Sequence, residues 1–184
     1  INIENLPGEN QWNLLISTLL NTDQRQEFNR FFHQLLTLCQ NNADLKVTRD
    51  QAEILNQQFV KFNFRLSSEQ TQIFHRLYKR VGLNEIAEDF LMKKILDENT
   101  PQMDRRSFSS ILLEDYVSKP ETLNKAKFLS LNLLNQGIGK DLELRTFLNL
   151  ATIEDFSKMN IESRKMAYNE SAFILRFLFR GDLP

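Results

Sequence analysis

Phe28-Asn29-Arg30-Phe31-Phe32-His33-Gln34-Leu35-Leu36-Thr37-Leu38-Cys39 decides the fold class. Wound as an α-helix, it gathers Phe28, Phe31, Phe32, Leu35, Leu36, Leu38 and Cys39 into one apolar stripe. Arg25, Gln26, Asn29, Arg30, His33 and Gln34 fall on the opposite face. A strand would alternate its apolar residues every second position instead, and this stretch does not. Thr22 and Asp23 stand where a helix cap is expected, and Asn41-Asn42 stops the pattern.

The same grammar extends outward in both directions. Upstream, Trp12, Leu15, Ile16 and Leu19 predict a short helix from about Asn10 to Leu20. Downstream, Thr48-Arg49-Asp50-Gln51 is a capping box, and the helix it opens sets Ala52, Leu55, Phe59, Phe62 and Leu66 at spacings of three and four. Ser67-Ser68-Glu69-Gln70 is a second box, opening a helix that ends at Gly82. A fifth helix runs from about Asn84 to Glu98, with Ile86, Phe90, Leu91 and Leu96 inward. Asn99 to Arg106, interrupted by Pro101, reads as a mobile loop or a boundary between subdomains. Beyond it come a helix from about Ser107 to Val117 and one capped by Ser118-Lys119-Pro120-Glu121 that ends at Gly137-Ile138-Gly139. Two short helices follow, the second starting at Thr152-Ile153-Glu154-Asp155, and a last helix spans about Glu162 to Arg180.

The expectation is therefore an all-α, irregular multi-helix bundle of about ten helices with short loops and mostly antiparallel neighbours. Fifteen Phe and 29 Leu against five Gly and four Pro say the same in composition. The 184 residues fit a single all-helical domain, with two layers or subdomains divided near 99–106 as a variant. The start at Ile1 rather than Met is read as a fragment of a larger protein.

Charge and motif content narrow the function. Net charge is −1, with 23 basic and 24 acidic residues, which argues against bulk nucleic-acid or acidic-membrane binding. No apolar run is long enough to span a bilayer. One cysteine, Cys39, excludes an internal disulfide and points to a reducing compartment: the cytoplasm, or the host cytosol for a secreted effector. His33 and His75 lack the carboxylate three residues earlier that a di-iron bundle needs, and read as surface or boundary residues, so no metal is expected. Cys39 lies on the apolar stripe and reads as core rather than nucleophile. Gly137-Ile138-Gly139-Lys140 lacks the preceding strand and following Ser or Thr of a phosphate loop, so no nucleotide cofactor is expected and no catalytic residue is assigned. The carboxylates Glu85, Glu88, Asp89, Asp97, Glu98, Glu114 and Asp115 read as solvated helix faces.

What remains is surplus apolar surface. Ala126 to Leu134 and Ala172 to Phe179 are wider than one stripe, so each is either central in a core or covered by something else. The expected function is a protein–protein interaction domain, an adaptor, scaffold or effector module, with Phe173, Phe177 and Phe179 as anchors and Arg176 and Arg180 at the rim. The same last helix serves a homodimer equally well. The alternative is a regulatory domain for a small GTPase, with Arg105 or Arg106 supplied from the irregular loop to developing phosphoryl charge.

Overall fold

In the computed structural model, residues 8–41 and 47–179 are described, and side chains over 10–41 and 47–170. Among the described residues there are ten α-helices and no strand. They are α1 Gly8–Leu20, α2 Arg25–Asn41, α3 Arg49–Lys61, α4 Ser68–Arg80, α5 Asn84–Leu96, α6 Gln102–Val117, α7 Leu123–Asn135, α8 Asp141–Leu150, α9 Ile153–Ser157 and α10 Ile161–Phe179. A 3-10 turn, Pro120–Thr122, precedes α7. No described helix is long and apolar enough to cross a membrane. The helices fall into two units, Ile1–Leu91 and Met92–Pro184, with the division inside α5.

In the first unit, α1 packs against α2 and α3, and α2 against α4. The stripe of α2 supplies Phe28, Phe32, Leu35, Leu36 and Leu38 to its core. Seven Phe rings interlock there: Phe32 lies 4.4 Å from Phe64 and 5.6 Å from both Phe59 and Phe74, Phe59 lies 6.1 Å from Phe90 and 5.9 Å from Phe28, and Phe28 lies 5.1 Å from Phe62. Most contacts are edge-to-face or stacked, arrangements worth about 0.5–1.5 kcal/mol each beyond area burial. Two polar side chains inside this core are tied to backbone. The Tyr78 hydroxyl donates to the Ala52 carbonyl at 2.7 Å, and the Gln58 amide donates to the carbonyls of Leu19 and Leu20 at the open end of α1.

Three helices end alike. In α3, α4 and α7 the chain turns into a left-handed residue, Asn63 (φ 47°), Gly82 (φ 79°) and Gly137 (φ 71°). The amides that follow double back: Phe64 N–H to Phe59, Leu83 N–H to Tyr78 and Ile138 N–H to Leu133 carbonyls. This is the Schellman closure, which satisfies otherwise unpaired helix-end carbonyls.

Several sequence expectations are corrected. The α3 helix stops at Lys61, so Phe62 and Leu66 continue its apolar spacing past the helix end. Leu66 is nonetheless buried, because the closure at Asn63 folds the chain back onto the core. Thr22 and Asp23 do not cap α2: the Thr22 hydroxyl donates back to Thr18 O at 2.9 Å, and Asp23 pairs with Lys61 at 2.8 Å. Nor does Ser118 cap α7. It closes α6 in helical conformation, its hydroxyl donating to Asp115 O at 2.6 Å. In α5 Leu91 is buried as expected, but at the helix end the inward residue is Ile95 (1 % exposed), while Leu96 points outward. His75 is buried rather than at the surface, its Nδ1–H donating to Ala87 O at 3.0 Å. The boxes at Thr48 and Ser67 form as read.

The second unit is arranged around α7, which packs against α6, α8 and α10. Its Ala126, Leu129, Ser130, Leu131, Leu133 and Leu134 are buried. The surplus of the Ala126–Leu134 segment is therefore absorbed by neighbours on several sides, with one exception, Phe128.

Candidate functional site

Phe128 is 53 % exposed, an aromatic ring left at the surface of an otherwise buried helix segment. Its helical neighbours Ala126, Leu129 and Leu131 turn inward. Two ammonium groups approach the ring: Lys127 Nζ at 5.5 Å and Lys158 Nζ at 5.9 Å from its centroid, both within cation–π range.

Beneath the ring lies a charge cluster. Lys127 Nζ is 2.8 Å from Asp155 Oδ2, and Lys158 Nζ is 3.6 Å from Asp155 Oδ1. Asp155 is only 4 % exposed. Its carboxylate also accepts from the Thr152 N–H at 2.8 Å and hydroxyl at 2.9 Å, the reach-back that opens α9. Burial pushes this carboxyl upward, but the hydrogen bonds from Lys127 and Thr152, with the Lys127 charge, outweigh it and hold the group well below the usual carboxylate range.

The backbone carrying Lys158 is pinned to α7. Asn135 Nδ2 donates to Lys158 O at 3.0 Å, and its Oδ1 accepts from the Asn160 N–H at 2.9 Å. Asn160 Nδ2 returns a bond to Asn135 O at 2.8 Å, and Asn160 Oδ1 accepts from the Ser163 N–H at the start of α10. Arg164 adds a bond to Ser157 O at 3.0 Å. The α9–α10 connection is thus clamped to the end of α7, and Lys158 is delivered to Phe128 from a fixed base.

The other sequence candidates are placed differently. Arg105 and Arg106 are not in a loop. The irregular stretch is limited to 97–101, where Asp97 Oδ1 accepts from the Asn99 N–H at 2.9 Å, and Pro101 begins α6 rather than breaking it. Arg105 Nε donates to Ile95 O at 2.7 Å and its NH2 group to Gln136 Oε1 at 2.9 Å, so this guanidinium ties the end of α5 to the end of α7. Arg106 is half-buried on α6. The side chains of Phe173, Arg176, Phe177 and Phe179, and Arg180 altogether, lie outside the described residues. Cys39 is largely buried against the first core, and burial pushes its thiol up to about 12 despite the nearby Arg80 charge. Glu143, 3 % exposed, accepts from the Lys140 N–H at 2.8 Å and so opens α8. Among the described residues no three His, Cys, Asp or Glu side chains converge to hold a metal ion.

Phe128 was visible in the sequence only as part of a wide apolar run. Its flanking Lys127 is adjacent in sequence, but Lys158 and Asp155 come from another element, and no local spacing announces them. Compared with known proteins, the chain matches no family model, no curated protein and no solved structure.

Proposed function

We propose that the chain is a protein–protein interaction domain, and that it receives its partner on the face formed by α7 and the α9–α10 connection. One observation carries the reading. Phe128 is more than half exposed on a helix whose other large apolar side chains are mostly buried, and two lysines converge on it from a clamped backbone. Binding energy in protein interfaces concentrates in aromatic anchors, and a rigid base lowers the entropy lost on association. The Phe173–Phe179 run with Arg176 and Arg180 enters the same proposal as a second set of anchors. A reducing setting, the cytoplasm or a host cytosol, is part of it, supported by the single cysteine.

The test is site-specific photocrosslinking in cells, with benzoylphenylalanine at position 128, at position 177, and at the exposed control position Arg76. Discrete adducts from position 128 that are absent from position 76 are the expected result. Adducts from position 177 alone would move the interface to the last helix. Equal, diffuse labelling from all three would remove the interaction reading.

A further inference from the structure

We infer that the occupant of the Phe128 face is an acidic peptide segment carrying an apolar or aromatic side chain. This rests on the interaction reading above and specifies its partner. The argument is charge complementarity around one ring. Two ammonium groups, Lys127 and Lys158, face one carboxylate, Asp155, so the trio carries a net positive charge. The carboxylate is 4 % exposed, whereas the Lys158 side chain is 46 % exposed, so the positive end of the cluster is the one that meets solvent. The α7 helix itself, Leu123 to Asn135, contains Lys125 and Lys127 and no acidic residue. Lys125 is exposed, but its ammonium lies over the Tyr116 ring of α6, 5.6 Å from the centroid, so the solvent-facing cation beside Phe128 is Lys158.

A ring edged by ammonium groups selects on two criteria. An apolar side chain laid against Phe128 removes its exposed surface from water. A carboxylate flanking that side chain meets Lys158, while a basic segment meets like charge at close range. Asp155 cannot serve a basic partner, because its oxygens are already held by Lys127, Thr152 and Lys158. A polynucleotide is the poorer fit: a chain of net charge −1 offers few cations along which a phosphate backbone could run.

The experiment pans a short random-peptide display library against the full chain, with counter-selection on Phe128→Ala, and measures recovered peptides by fluorescence anisotropy. Circular dichroism first establishes that the variants fold. Recovered peptides are expected to be net acidic with at least one apolar or aromatic residue. They should lose about tenfold or more in affinity to Phe128→Ala, weaken with added salt, and weaken again with Lys158→Glu. Peptides that depend on Phe128 but are neutral or basic would overturn the acidic assignment and leave the interaction reading standing. Recovery of no Phe128-dependent peptide would remove the docking face itself. Self-association abolished by Phe128→Ala in sedimentation would make a second copy the occupant, and Phe128-dependent binding of labelled oligo-dT would make it a nucleic acid; either result overturns the assignment.

Discussion

Asp155 does several jobs with one carboxylate. It starts α9, neutralises a lysine that is only 13 % exposed, and holds a second lysine near the Phe128 ring. Removing its charge leaves Lys127 with an uncompensated ammonium in a nearly dry site, the situation that makes broken buried pairs costly. Asp155→Asn should therefore destabilise the protein by on the order of 3 kcal/mol, read by urea denaturation. The pH dependence follows from the depressed carboxyl. In the unfolded chain it titrates near about 3.9, and in the folded one lower. Its contribution is thus complete above that unfolded value and is lost as pH falls below about 4 toward the folded one. Acid titration of the wild type should show that loss, and Asp155→Asn should flatten the same limb. None of this was legible in sequence. Thr152-Ile153-Glu154-Asp155 announces a helix start, but a capping carboxylate and a buried ion-pair partner look alike until tertiary packing brings Lys127 to it.

At the level of elements, some helix boundaries are marked by local chemistry and others are hidden from it. The boxes at Thr48 and Ser67 work locally, through residues three apart, so the sequence reveals them. Ser118-Lys119-Pro120-Glu121 has the same spelling and fails, because the preceding helix claims Ser118 first. The end of α3 was hidden for a different reason. Its apolar spacing continues through Phe62 to Leu66, and Asn63 is a weaker stop signal than glycine although it adopts the same left-handed backbone as Gly82 and Gly137. That comparison yields a prediction. Asn63→Gly should stabilise the protein by up to about 1 kcal/mol by relieving the positive φ, whereas Gly137→Ala should cost about 1 kcal/mol. Chemical denaturation midpoints check both. Pro101 has a similar ambiguity: the same residue that can interrupt a chain pattern here begins α6, which puts Arg105 and Arg106 on a helix rather than in a loop.

On the scale of the whole molecule, the helical class was legible because one stripe per helix suffices to state it, and α2 states it most fully. The place of the division was not. The division at Leu91 and Met92 falls inside α5, a continuous helix without Gly or Pro to punctuate it. The first unit depends on its ring cluster. Phe32 is fully buried and touches Phe28, Phe59, Phe64 and Phe74. Phe32→Ala should cost about 3–5 kcal/mol, seen as a lowered thermal midpoint.

Trp12 is the chain's single tryptophan, completely buried in the first core with its indole N–H donated to Gln51 Oε1 at 3.2 Å. The molecule therefore carries one indole fluorophore, which can be excited selectively on the red side of tyrosine absorption, and it is located in the first unit. Its emission is a private signal for residues up to Leu91, while far-ultraviolet ellipticity sums over every helix. Recorded together during one melt, the two traces separate the fates of the two units without a label. Superimposed curves would report a single cooperative transition. Displaced curves would give each unit its own stability, and would identify which one Phe32→Ala or Asp155→Asn had weakened.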